Sequence, residues 1–207
     1  MSKQKTIDRQ RRFFIAGALG AAATATPAAL WADTDFATRL ALAAEDRANH
    51  RVLYDPSYVS ISYPMGDVPA NTGVCTDVVI RAYRAVGIDL QERVHRDMKR
   101  NFSRYPKIWG LRRPDTNIDH RRVPNLETFL KRQGAALPLS SDPAVFQPGD
   151  VVTWRLPDNR PHMGIVTTRR SAGGVPLISH NIGAGPRVED MLFDLKIHGH
   201  FRWHPPR

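Results

Sequence analysis

The chain contains a single cysteine, Cys75, in 207 residues. One thiol cannot close an intramolecular disulfide, so the fold has to stand on a packed core. There is no CxxC pair and no HExxH stretch, so the spacings typical of structural zinc sites and of zinc-peptidase helices are missing. Internal repeats are absent too, as are low-complexity tracts beyond the first thirty residues. One apolar run, residues 13–30, is long enough to just span a bilayer, but Pro27 and its many small residues argue against a retained anchor. Aromatic residues make up 8% of the chain, while hydrophobic residues make up 42%. That is enough for one core-bearing domain and too much for a disordered chain.

The start, MSKQKTIDRQRRFFIAGALGAAATATPAALWA, combines a basic stretch, a weakly apolar stretch and a small-residue cut after Ala32. It reads as an export signal over residues 1–32, with residues 33–207 as a single domain. Arg11 and Arg12 followed by Phe13, Phe14 and Ile15 resemble the twin-arginine signal; an ordinary secretory signal with a chance Arg pair is the other reading. No cysteine lies near the cut, which excludes a lipid-anchored product. Residues 1–32 carry a net +4 of the total +10, so the remainder keeps +6. A basic exported domain favours cell-wall carboxylates or lipid headgroups over nucleic acid as partners.

Hydrophobic spacing predicts a helix over residues 35–48. An alternating run, Val59, Ile61 and Tyr63, reads as a strand or extended segment leading into the loop that ends at Cys75. After the cysteine, Val79, Ala82, Tyr83 and Val86 fall three or four apart and Gly87 stops the helix. Cys75 therefore opens a helix and shares its apolar face. Residues 89–104 read as helical, and residues 125–134 as a short helix with Asn125 as its cap. The last third breaks into β-rich runs, FQPGDVVTWRLP, HMGIVTTRR, GVPLISHNIG and HGHFRWHP. Helices first and strands second give an α+β domain, its helices packed on one side of a small antiparallel sheet.

A leftover thiol in an oxidising compartment is either buried and inert or kept for its reactivity. At a helix start, free N–H groups and the dipole favour thiolate. Such a nucleophile also needs a base held in place by a third polar group. His162 begins one β-run and His180 closes the next, and a hairpin around residues 171–174 would bring the two imidazoles together.

The order GVCTD, QPGDVVTW, HMGIV and LISHN resembles the NlpC-type cell-wall peptidases, a papain-like cysteine peptidase family. More closely, YDPSY, YPMGDVP, GVCTDVVIRAYRAVGIDLQ, DTNIDHRRVPNL, HNIGAGP and HGHFRW resemble the YijF-like domain of unknown function found in exported bacterial proteins, over about residues 35–204. The resemblance implies Cys75 as nucleophile, His162 as general base and His180 as the orienting third member. Thr76 and Asp77 stand where Ser-Gly is usual, and Asp77 by like charge opposes thiolate formation. Asn181 alternates to the face opposite His180, so only one of them can serve, and His180 is favoured. Tyr63 lies where the wider family has a site-lining Tyr. The run from Arg93 to Arg122 is rich in Lys and Arg and reads mostly as a solvated basic face; within it Arg121 or Arg122 could grip a peptide carboxylate while Asp119 and His120 brace the loop. Tyr63, Asp77, His120, Arg121, Arg122 and Asn181 are thus the candidate substrate-binding residues.

The expectation is a periplasmic cysteine amidase or endopeptidase acting on peptidoglycan stem peptides through an acyl-enzyme. It would use no cofactor or metal, bind no nucleic acid, and keep no stable membrane anchor after signal cleavage. An acyltransferase on the same cysteine, a non-catalytic wall-binding module, and a zinc hydrolase drawing on His162, His180, His198, His200 and Asp150 are the alternatives.

Overall fold

The computed structural model describes residues 35–205, and the expected export segment lies outside them. The helices are α1 (Phe36–Asp46), α2 (Cys75–Ala85), α3 (Leu90–Asn101) and α4 (Val123–Arg132). The strands are β1 (Leu53–Tyr54), β2 (Thr72–Gly73), β3 (Ala136–Leu137), β4 (Val151–Arg155), β5 (Pro161–Arg170), β6 (Pro176–His180), β7 (Arg187–Glu189) and β8 (Lys196–Phe201).

Local chemistry sets the helix starts. Asp35 accepts the Thr38 N–H at 3.1 Å and caps α1. Asp89 does the same for α3 through the Gln91 N–H at 2.9 Å. In α2 the carboxylate of Asp77 reaches back to the Val74 N–H at 2.7 Å, supplying half of a capping box where the cap residue itself has no acceptor. α4 begins earlier than its sequence suggests. Arg122 takes the cap position, Pro124 occupies the first turn, and Asn125 is buried with its Nδ2 donating to the Asp119 carbonyl at 3.1 Å. Gly134, at φ +71°, ends it.

Of the strand or extended segment expected over Val59, Ile61 and Tyr63, no strand forms. Its backbone is held by side chains instead: Ile61 N–H donates to Asn117 Oδ1 at 3.0 Å, and the Ser62 carbonyl accepts from Gln91 Nε2 at 2.8 Å. Flanking prolines remove ladder donors, which leaves the segment to be fixed this way. A short parallel pair forms further out, with Leu53 opposite Thr72 and Tyr54 opposite Gly73.

The main sheet runs β3-β8-β4-β5-β6-β7, with every neighbouring pair antiparallel. An α+β architecture is therefore what the chain adopts. Val151, Met163, Ile165 and Phe201 face the helices and join Val79, Tyr83, Leu126 and Phe129 in one core. The opposite face is not left to water. Val152, Trp154, Val166 and Ile178 pack there against Phe146, Met191 and Leu192 from loops. Burial on both faces explains why VVTW in β4 shows no polar alternation. Among the described residues no helix is long and apolar enough to cross a membrane.

β5 and β6 pair around residues 171–174 as expected, with Ile165 opposite Ser179 and Val166 opposite Ile178. Continuing that register sets Gly164 opposite His180. A Cβ on Gly164 would lie 2.7 Å from Ile178 Cγ2, 2.8 Å from the Ser179 carbonyl oxygen and 3.1 Å from His180 Cβ. Since two of the three are backbone or closely packed, the strands would have to separate. Gly164→Ala should cost about 1–3 kcal/mol, read as a lowered urea midpoint; unchanged stability would show that β6 adjusts without loss.

Candidate functional site

Cys75 is the first residue of α2 and is buried, 5% exposed. Burial pushes its thiol up to about 11; the nearby Met163 backbone N–H pulls down against this, the Asp77 carboxylate adds to the rise, and the N–H groups of Thr76 and Cys75 again favour thiolate. At neutral pH the sulfur is therefore a protonated thiol. The contact with Met163 sets it beside β5, one residue from His162.

His162, the second residue of β5, lies opposite Trp154, whose ring lies 5.8 Å from its own. Its Nε2 is 3.0 Å from His180 Nδ1, so the hairpin does bring the two imidazoles together. His180 Nε2 is in turn 3.0 Å from Glu189 Oε2 on β7. Directions follow from the ends of this chain. A carboxylate can only accept, so His180 Nε2 carries the hydrogen and donates to Glu189. Burial lowers the pKa of His180 although Glu189 opposes the shift, so the ring is neutral and its Nδ1 holds a lone pair. That lone pair accepts the Nε2–H of His162. Burial, and then His180, bring His162 down to about 3, so it too is neutral. Its remaining nitrogen, Nδ1, is left unprotonated and able to take a proton. The hydrogen-bond network, set at Glu189, thus assigns both tautomers.

Glu189 was not foreseen from sequence. It sits on a three-residue strand that carries no period, in a chain with 20 acidic residues. Tyr54 was missed as well. The β1–β2 pair carries it alongside Gly73, and its phenol is raised first by burial and then by the charge of a Cys75 thiolate. Tyr54, Arg160, His162 and Ile182 line a cleft of about 330 Å³. Tyr63, expected at the thiol, packs edge-on against His95 of α3 instead, with ring centroids 5.0 Å apart.

The other candidates hold the scaffold together. Arg121 Nε and Nη2 both reach Asp77 at 2.9 Å, and each side chain is 4% exposed. This fork occupies the guanidinium that was expected to grip a ligand carboxylate. Thr76 donates its hydroxyl to the Arg121 carbonyl at 3.0 Å. The Thr-Asp pair after the cysteine is therefore explained by docking α2 onto residues 119–121. Arg122 pairs with Asp119 at 3.1 Å and lies over the Trp109 ring. His120 is 2% exposed, and burial brings it down to about 4. Asn181 is buried, with Oδ1 accepting the Gly183 N–H at 3.1 Å and Nδ2 lacking a partner. His180, not Asn181, is thus the partner of His162. On β8, His200 pairs with Asp150 at 2.8 Å and the Arg202 guanidinium occupies the same carboxylate, while His198 faces Glu127 at 3.8 Å. Among the described residues no three His, Cys, Asp or Glu side chains converge as metal ligands.

Fold and site together define an α+β domain in which a helix-start thiol contacts the Met163 N–H of an antiparallel sheet, and two carboxylate-oriented imidazoles lie on the neighbouring positions of that sheet. The chain belongs to the family described as a domain of unknown function, DUF1287, whose pattern matches residues 41–203. It is 50% identical over 168 residues to the uncharacterized protein YijF of Escherichia coli (strain K12), the match covering 80% of this chain and 82% of that protein. No solved structure matches it.

A thiol raised to about 11 is alkylated through a thiolate fraction that grows about tenfold per pH unit below that value. Iodoacetamide should modify Cys75 slowly at pH 7, with a rate still climbing at pH 10. A plateau reached below pH 8 would show a stored thiolate instead.

Proposed function

We propose that this protein is an exported cysteine amidase or endopeptidase with a papain-like, NlpC-type arrangement, acting on amide bonds of peptidoglycan stem peptides. The observation that supports it is the directional chain from Glu189 through His180 to His162, which leaves Nδ1 unprotonated on a residue whose chain neighbour, Met163, contacts Cys75. A buried core histidine would need no such tautomer control.

In this reading the Cys75 proton moves to His162 Nδ1 as the sulfur attacks the substrate carbonyl carbon. The thiolate is made only during the reaction, because the thiol and the imidazole both rest neutral. Negative charge developing on the carbonyl oxygen is held by N–H groups at the start of α2, with the Tyr54 hydroxyl as a further donor. Collapse breaks the C–N bond, and the His162 proton leaves with the amine. Water then adds to the thioester, giving its proton to His162, and the acid departs as the thiol re-forms. Arg160 at the rim of the cleft offers a cation to a peptide carboxylate. The basic residues 1–12 and the apolar stretch that follows them support export to the periplasm.

One observation favours a second reading. The thiol is buried and protonated, as in a scaffold that binds wall peptides without cutting them.

Incubating wild type, Cys75→Ala and Glu189→Gln with sacculi and analysing soluble fragments by mass spectrometry separates the two. New amine and carboxyl ends should appear with wild type, vanish with Cys75→Ala, and form about 10²-fold more slowly with Glu189→Gln, whose amide no longer fixes the tautomers. Intact sacculi that nonetheless pull down all three proteins would favour the binding module.

A further inference from the structure

Residues 105–117 lie outside the site described above, and their side chains are arranged unusually. The Gly110 N–H donates to the Lys107 carbonyl at 3.0 Å, with Gly110 at φ +66°, closing a tight turn that has Ile108 and Trp109 at its tip. Ile108 is 72% exposed. The turn does not fold this side chain back onto the protein, because fixed contacts on both sides hold it out. Lys107 Nζ sits 3.6 Å over the Phe102 ring and donates to the Phe102 carbonyl at 2.8 Å. The Arg122 guanidinium lies 4.2 Å over the Trp109 ring. Arg112 and Arg113 follow on the exposed flank, beside a groove of about 790 Å³.

An apolar tip, an indole beneath it and cations around it match the layers of a bilayer surface, where an aliphatic side chain enters the acyl boundary, Trp sits at headgroup depth and Arg meets phosphate. A solvated basic face would need the cations but not the exposed Ile108. We propose that the 107–113 turn is a peripheral docking site for an anionic lipid surface, holding the domain against a membrane without a spanning segment.

The test uses the full-length protein carrying an environment-sensitive dye at Ile108→Cys, with the same dye at Gln133→Cys as control. Gln133 is exposed just past the far end of α4, about 17 Å along that helix from Arg122, and burial protects Cys75 from labelling. With vesicles of phosphatidylglycerol and phosphatidylcholine, the emission at position 108 should shift to the blue while that at 133 does not. Vesicles of phosphatidylcholine alone should have little effect. Replacing Arg112 and Arg113 by Ser should weaken the partitioning about thirtyfold, about fivefold per cation. An unshifted dye at position 108, equal shifts at 108 and 133, or equal response to both vesicle types would each overturn the proposal. The label at 108 reports insertion of this turn even if residues 1–34 also touch the vesicle. Because the dye responds whether or not any amide is cut, the result is independent of the peptidase reading.

Discussion

The hydrogen bond from His180 to Glu189 decides the state of everything upstream of it. Glu189 can only accept, so it fixes the hydrogen on His180 Nε2, and one proton placement then propagates across two strands to His162. The geometry needs β5, β6 and β7 in one register, and it needs Gly164 to have no side chain where His180 packs. Close packing between two strands of the sheet therefore supports this polar feature. A buried imidazole pair without the carboxylate would have no preferred tautomer and would leave one nitrogen unsatisfied.

The thiol side of the site is built separately. Asp77 caps the start of α2 and is clamped by Arg121, while Thr76 ties the next residue to the same segment. These contacts fix where Cys75 sits. They also compensate a conflict: a carboxylate in the first helical turn raises the neighbouring thiol, and the paired guanidinium offsets its charge. With burial the larger influence, Cys75 rests protonated. The site thus combines a neutral acid with a neutral base whose orientation is already set, and in the proposed reaction it creates charge only when a substrate is present to use it.

Much of this was readable from the chain. The period change at Cys75, the hairpin signal between two β-runs and the positions of His162 and His180 were enough to foresee the α+β order and the imidazole pair. What sequence reasoning missed depends on contacts between distant residues. Tyr54 reaches the cleft through a two-residue parallel pair, and Glu189 comes from a strand too short to show alternation. Arg121 looked available because nothing local marks its partner, 44 residues earlier, as buried beside it. Tyr54 and Tyr63 flank the same loop, and only its path separates the tyrosine packed against α3 from the one at the cleft. Asn125 resembled a helix cap until Pro124 in the first turn moved the start upstream.

The helix-borne thiol and the sheet-borne imidazoles meet as a working pair only if His162 Nδ1 is unprotonated and Nε2 carries the hydrogen. Long-range nitrogen–proton NMR of the histidine rings at pH 7, assigned with His162→Gln and His180→Gln, reads this directly. His162 should show a bare Nδ1 and a protonated Nε2, and Glu189→Gln should release that preference. A His162 ring protonated on Nδ1, or one whose tautomer ignores Glu189, would contradict the relay and remove the base from the proposed reaction.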